Sequence, residues 1–242
     1  MKAMYAAAAV FFLSITYAGN LAAAAVCFNA RLVEQGVVVE QRYRTVDKFE
    51  GSRTILNSTQ SIVGRETFKG KNALLARSES TVKEGGNTIT VNNDSYILVQ
   101  KAKKEVRSLG GVGQSFMNGV DQGTAEISFQ PAMLFRYNVS RGQAHTQRLT
   151  VTTKATSPLG GGTTSMKQTI TRKYLGRQAL KGPLGTRQTC KFRVTTIINQ
   201  FLTRTKFVST EWYDVKSGML IKEFSPGVTT VLLRGTIDGV KI

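Results

Sequence analysis

Polar and apolar residues alternate along most of the chain, with the period of β-strands rather than helices. Over residues 29–49, Leu32, Val37, Val39, Tyr43 and Val46 are spaced by polar positions, which predicts a half-buried strand. The same reading predicts strands over 54–63, 73–82, 88–100, 101–109, 146–157, 163–174, 191–198, 202–212, 219–224 and 228–237. Turn-forming clusters separate them: Glu50-Gly51-Ser52, Glu84-Gly85-Gly86-Asn87, Gly110-Gly111-Val112-Gly113, Ser157-Pro158 with the glycines that follow, Ser217-Gly218 and Ser225-Pro226-Gly227. No stretch beyond residue 25 keeps a helical period. The expectation is an all-β protein of two related antiparallel β-units, forming a curled sheet, an open barrel or a sandwich.

The two units are suggested by a repeated string. Residues 64–70 read GRETFKG and residues 176–182 read GRQALKG, so Gly, Arg, Lys and Gly match at a constant offset of 112. Alternating Ser/Thr-rich runs flank both copies, which favours duplication of a several-stranded unit over chance. Each copy is expected to be the turn region of a hairpin. The organisation that follows is a first unit over 26–112, a linker over 113–130 where Met117-Asn118-Gly119 and Asp121-Gln122-Gly123 break the pattern, and a second unit over 131–242.

Residues 1–25 stand apart. Lys2 is their one charge, an apolar run from Tyr5 to Tyr17 follows, and Ala23-Ala24-Ala25 offers a cleavage site, the features of a secretory signal peptide. The run is short for a membrane span. Export changes how the cysteines are read. Cys27 and Cys190 are the two in the chain, and in an oxidising compartment they are expected to form a disulfide. The alternative, lipid attachment at Cys27, fits poorly because Val26 precedes it.

Charge narrows the partners. Without Lys2 the chain carries 32 Lys+Arg against 15 Asp+Glu, a net charge of +17. Such a field attracts polyanions. Outside the cytosol these are anionic lipid, lipopolysaccharide or acidic polysaccharide, and specific nucleic-acid binding is not expected. The densest basic cluster is Lys101, Lys103, Lys104 and Arg107, read either as an anion-docking face or as an edge strand guarded by lysines. A second basic set, Arg172, Lys173, Arg177, Lys181, Arg187, Lys191 and Arg193, surrounds the second hairpin and would join the first in one positive surface if the units stack; Arg177 and Lys181 are its candidate anion ligands. The site is expected to be ligand-binding, with no catalytic residue, metal or cofactor.

The catalytic alternatives are weak. His145 is the single histidine and lies in a polar run suited to a strand end. One histidine and two distant cysteines do not make a zinc site. Glu211 and Asp214 are the best carboxylate pair, but an offset of three on a strand puts them on opposite faces, and solvated strand-edge charges explain them. The aromatic residues of the second unit, Tyr174, Phe192, Phe201, Phe207, Trp212 and Tyr213, are expected to pack a core, or to leave part of a concave face open for a lipid tail.

Residues 131–224 also carry a recognisable order of features. Pro131-Ala132-Met133-Leu134-Phe135 precedes Gly142; then come a Thr-rich hairpin, Gly176-Arg177, Pro183-Leu184-Gly185-Thr186 before Phe192-Arg193-Val194, and Glu211-Trp212-Tyr213 before Gly218-Met219-Leu220-Ile221-Lys222. This order resembles a group of poorly characterised exported bacterial β-rich proteins of the envelope, often lipoproteins. A more distant architectural likeness is to periplasmic lipoprotein carriers. The resemblance implies a periplasmic or secreted location and no catalytic residue. The expected function is therefore a non-enzymatic exported β-protein that binds an anionic or amphipathic envelope ligand. The alternative is a structural or assembly component that docks a protein partner along a strand edge.

Overall fold

The computed structural model describes residues 28–84, 86–158, 160–200 and 203–242. The expected signal peptide and Cys27 lie outside the described residues. Thirteen strands follow one another: β1 (Val38–Asp47), β2 (Ser52–Phe68), β3 (Lys71–Glu84), β4 (Asn87–Gln100), β5 (Glu105–Met117), β6 (Val120–Arg136), β7 (Ala144–Ser157), β8 (Gly160–Gly182), β9 (Gly185–Gln200), β10 (Thr203–Asp214), β11 (Leu220–Ser225), β12 (Val228–Ile237) and β13 (Val240–Lys241). Each pairs with the next, and β1 also pairs antiparallel with β12. The all-β antiparallel expectation holds in its barrel form. The β1–β12 pairing closes twelve strands into a barrel, with β13 added, and so pairs the two outer strands that an open sheet would expose.

Strand alternation fills the interior. In β1, Val39 and Tyr43 are buried while Val38, Glu40 and Arg42 are exposed. Leu56, Ile62, Val82, Val91, Ile97, Ile127, Val151 and Leu232 join them in one packed cluster. One end of the barrel is covered by the chain before β1. A 3-10 turn, Ala30–Val33, sends Leu32 and Val33 into that cluster. Phe28 stacks on Tyr137 at 3.9 Å, and Asp238 holds both Arg31 and the Val38 amide. The expected strand over 29–49 is thus a short helical turn followed by β1, because Leu32 and Val33 are adjacent and both must enter the core.

Residues 113–130, expected as a linker, are the facing halves of β5 and β6. The break in pattern is a two-residue turn at Asn118 and Gly119, with φ of 50° and 82°. Lys69-Gly70 and Asp238-Gly239 repeat that positive-φ pair, the turn whose twist suits a tight hairpin. Two further expectations change. Residues 101–104 are the four-residue turn between β4 and β5, not a basic strand, with Lys104 at φ 51° and its amide bonded to the Lys101 carbonyl. Gly110 and Gly111 lie inside β5 rather than ending it. A Cβ on Gly110 would sit 2.0 Å from the Ile127 carbonyl oxygen, so glycine lets two strands approach where the sheet bends.

That bend is made by β-bulges at Ile62/Gly64, Tyr96/Ile97 and Ser108/Gly110. At the tip of the β2–β3 hairpin, Phe68 joins a second apolar cluster that runs across β3 to β6. Phe68 stacks on Tyr96 at 4.2 Å, above Leu75, Leu109 and Ala132. The second GR copy has the matching bulge at Tyr174/Gly176. In both copies the first glycine belongs to the bulge. The first copy ends in its turn at Lys69-Gly70, whereas the second stays in β8 through Gly182 and turns at Pro183-Leu184.

Candidate functional site

Residues 144–225, from β7 to β11, contain three acids: Glu211, Asp214 and Glu223. Asp214 is buried and caps the β10–β11 turn, accepting from the Ser217 amide at 2.7 Å. Glu211 is buried inside the barrel, where it pairs with Arg172 of β8. Tyr213 donates to Glu211 at 2.8 Å and accepts from Arg172 at 2.8 Å. The Arg172 guanidinium lies 5.1–5.4 Å from the ring centroids of Phe192, Tyr213 and Phe135. Glu223 faces Glu211 directly across the β10–β11 ladder.

These charges constrain one another. Burial favours loss of the Arg172 charge, but Glu211 and Tyr213 outweigh it and keep the guanidinium protonated. Burial raises the Tyr213 hydroxyl well above the usual phenol range. Burial first, and the Glu211 charge second, push the Glu223 carboxyl up to about 7, against the opposing effects of Ser209 and Arg172. The expectation that Glu211 and Asp214 are solvated edge charges is therefore overturned. The partner of Glu211, Arg172, is 39 residues away in the chain and is brought in across β9, while Asp214 is used by its own turn.

Alternation then decides the outside of the same strands. The register sets Lys167 and Arg204 on either side of Asn199, and Lys173 opposite Arg193. Lys191 and Lys222 flank Trp212, with their amines 5.2 and 5.4 Å from its ring centroid. Arg148 and Lys206 complete the set in one row through Thr169 and Ile197. All eight point away from Glu211 and Glu223. With Lys154 on the same face of β7 as Arg148, the outer face of β7–β11 therefore carries at least nine cations, and its one acid, Asp214, is buried as the turn cap. In such a face each cation lacks a neighbouring counter-charge, and their fields add.

The residues singled out by sequence fall in two places. Lys101, Lys103 and Lys104 are exposed in the β4–β5 turn, and Arg107 bonds Glu105, which Arg136 holds from the other side. Those two arginines outweigh burial and keep the Glu105 carboxyl below its usual range. Arg177 and Lys181 are exposed on β8, near the β8–β9 turn. In a meander the β4–β5 and β8–β9 turns share one barrel end, but the two sets sit four strands apart. The larger basic face was seen only in part: Lys173, Lys191 and Arg193 fell in the second basic set, whose Arg172 instead turns inward, while the other members are scattered over 75 residues, from Arg148 to Lys222. Their period-two spacing relative to Glu211 was the available signal.

His145 stands near the start of β7, half-buried, and its Nε2 has no hydrogen-bond partner among the described residues. Burial, then Arg136, hold the imidazole below its usual range. Cys190 is fully buried with Tyr174, Phe192 and Tyr213 and is not a free thiol. The expected packing of aromatics holds for Tyr174, Phe192, Trp212 and Tyr213, while Phe207 is 55 % exposed and Phe201 lies outside the described residues. Among the described residues, no group of three or more His, Cys, Asp or Glu side chains is placed to hold a metal ion.

No protein-family model and no curated protein matches the chain. Three solved structures are similar in fold. One is provisionally described as a lipoprotein of Parabacteroides distasonis ATCC 8503, with 10 % identity, TM-score 0.45, and coverage of 84 % of this chain and 96 % of that one. A second, provisionally described as an exported protein with a YmcC-like fold from Bacteroides fragilis NCTC 9343, has 11 % identity, TM-score 0.35 and the same coverages. The third is the hypothetical lipoprotein YmcC of Escherichia coli K12, with 8 % identity, TM-score 0.36, and coverage of 80 % and 84 %. These descriptions are of the kind the sequence resembled: exported, β-rich and poorly characterised. At such identities and TM-scores no residue role is transferred.

Proposed function

We propose that this protein is an exported, non-enzymatic barrel that binds an anionic or amphipathic envelope ligand through the outer face of β7–β11. The supporting observation is the sorting of charge in those strands, with two acids turned inward, the third used as a turn cap, and at least nine cations outside. Anionic lipid, lipopolysaccharide and acidic polysaccharide all present the repeated negative charge that such a face attracts. Arg177 and Lys181 would extend it, and Lys101, Lys103 and Lys104 would make a separate contact from the β4–β5 turn. Arg107 is engaged by Glu105 and contributes less. A Cys27–Cys190 disulfide belongs to the same reading, since it would anchor the chain start beside β9; the mass of unreduced against reduced mature protein tests it.

The binding experiment is a titration with vesicles of phosphatidylglycerol against vesicles of phosphatidylcholine, at low and high salt. Binding to the anionic vesicles alone, lost as salt rises, supports the reading. Binding that is equal on both vesicles, or unchanged by salt, overturns it.

A second reading rests on a different observation. Residues 203–209 of β10 pair with β9, while the β11 ladder begins opposite Thr210. That stretch offers one unpaired strand edge, the kind of place where a partner strand adds. Recovery of a stoichiometric protein complex that is broken by proline at Thr205 would favour an assembly component.

A further inference from the structure

Outside the β7–β11 face, a polar cleft of about 270 Å³ opens on β1, β2 and β12, lined chiefly by Glu40, Arg42, Asn57, Thr59, Arg234 and Thr236. Arg42 and Arg234 are directly opposite each other in the β1–β12 ladder. Like charges so placed repel and cost stability. Neither belongs to any ion pair among the described residues. The ladder shifts register at Arg42/Tyr43, and a bulge of this kind re-aims the side chains beside it. Two unpaired guanidiniums thus converge on one concave site.

The rest of the lining is not that of a plain anion trap. Glu40 stands one row from Arg42 on the same face, and its Oε2 accepts from the Thr236 hydroxyl at 2.8 Å. A fixed carboxylate repels a bare anion but is a strong acceptor for hydroxyl groups. Asn57 and Thr59, cross-strand from Arg42 and Glu40, add an amide and a hydroxyl. The volume lies just under the range of about 300–1,000 Å³ usual for small-molecule sites. It suits a single ring rather than a polymer segment or an acyl chain.

We propose that this cleft binds one acidic sugar residue. The phosphate or carboxylate takes the forks of Arg42 and Arg234, and ring hydroxyls take Glu40, Asn57 and Thr59. The site is independent of the β7–β11 face.

The test is calorimetric titration of the mature protein in about 0.5 M salt, where diffuse attraction is screened within a few ångströms. The probes are glucuronate and glucosamine 1-phosphate, with glucose and inorganic phosphate as controls. Saturable binding of either sugar acid is expected, with the controls at least about tenfold weaker. The tighter probe assigns the source, glucuronate to an acidic polysaccharide and glucosamine 1-phosphate to a phosphorylated saccharide headgroup. R42Q and R234Q should each weaken binding about tenfold or more. E40Q should weaken the sugar acids while strengthening inorganic phosphate. Both arginines are exposed and mutually repelling, so their removal should leave thermal unfolding unchanged or slightly raised. R42K, which keeps the charge and loses the fork, should fall between wild type and R42Q. The proposal is overturned if neither sugar acid binds, if R42Q and R234Q bind as wild type does, or if inorganic phosphate binds as tightly as the sugar acids.

Discussion

The two halves of the barrel are built alike and charged differently. Residues 26–130 carry 14 Lys+Arg and 11 Asp+Glu, whereas residues 131–242 carry 18 and four. In the first half acids and bases meet on the outside, as in Arg77–Asp94 and Lys69–Glu126. In the second, Glu211 and Glu223 point into the barrel, Asp214 caps the β10–β11 turn, and Asp238 is engaged by Arg31. The difference lies in which strand face the acids occupy. A strand that places an acid one position along moves it from the surface to the core. The second half therefore has a nearly uncompensated surface above a buried ionic cluster, whereas the buried acid of the first half, Glu105, is held by two half-exposed arginines, Arg107 and Arg136.

The largest expected effect breaks that cluster. Arg172→Met leaves Glu211 buried beside Glu223 without its counter-charge and should cost about 3–5 kcal/mol, read by urea unfolding. Adding Glu211→Gln should recover part of the loss. Equal stability of Arg172→Met and wild type would show that the interior tolerates the charge without its partner.

Glu223 gives the pH signature. Its folded value, about 7, lies above the ordinary carboxyl value, so the folded state holds a proton that the unfolded state releases. Stability from this group is complete below about pH 4 and is lost as pH rises through 7. Glu223→Gln should therefore be the more stable protein at pH 8, by about 2 kcal/mol, and should match wild type near pH 4. Thermal unfolding across that range checks it; a wild-type curve that rises from pH 4 to 8 in parallel with the variant would refute the assignment.

The outer face is sharpened by charge reversal. Replacing Lys173, Arg193 and Lys206 by Glu should weaken binding to anionic vesicles at least about tenfold, or 1.4 kcal/mol. The same change at Arg53, Lys71 and Lys83 of the first half should have less than about a third of that effect in free energy, because acids there already offset the field. Equal losses would mean that net charge, not the sorted face, drives binding.

The smallest effect separates the two GR copies. Gly176 has φ 114° and a built Cβ would lie 3.2 Å from the Arg141 side chain, whereas Gly64 has an ordinary φ and its Cβ would make an ordinary 3.8 Å contact with the Gln35 side chain. Gly176→Ala should cost about 1–2 kcal/mol and Gly64→Ala less than about 0.5 kcal/mol. The repeated glycine is thus required for backbone reasons in one copy only.

Much of the strand plan was legible because it is local. Alternation at Val39 and Tyr43, or at Phe192, is written in neighbouring residues, and Asn118-Gly119 was seen as turn-like. It was assigned to a linker because periodicity cannot tell a hairpin tip from a domain boundary. Lys101, Lys103 and Lys104 drew attention as a run, yet they form a turn, and of the broader face from Arg148 to Lys222 only Lys173, Lys191 and Arg193 stood close enough together to be noticed. Glu211 was read as solvated because its partner Arg172 is remote in the chain. The Arg42–Arg234 pair was invisible for the same reason, its members lying on the first and twelfth strands.

What the sequence determined by itself is the all-β class, most turns and the strong positive charge, since each follows from composition or short-range pattern. Closure of the barrel, the sorting of acids inward and the meeting of Arg42 with Arg234 were decided by tertiary structure. The physical reason is that pairing β1 with β12 sets the faces and registers of residues up to about 200 positions apart. Alternation within a strand fixes which side chains share a face, but only the closed sheet fixes which of those faces is inside.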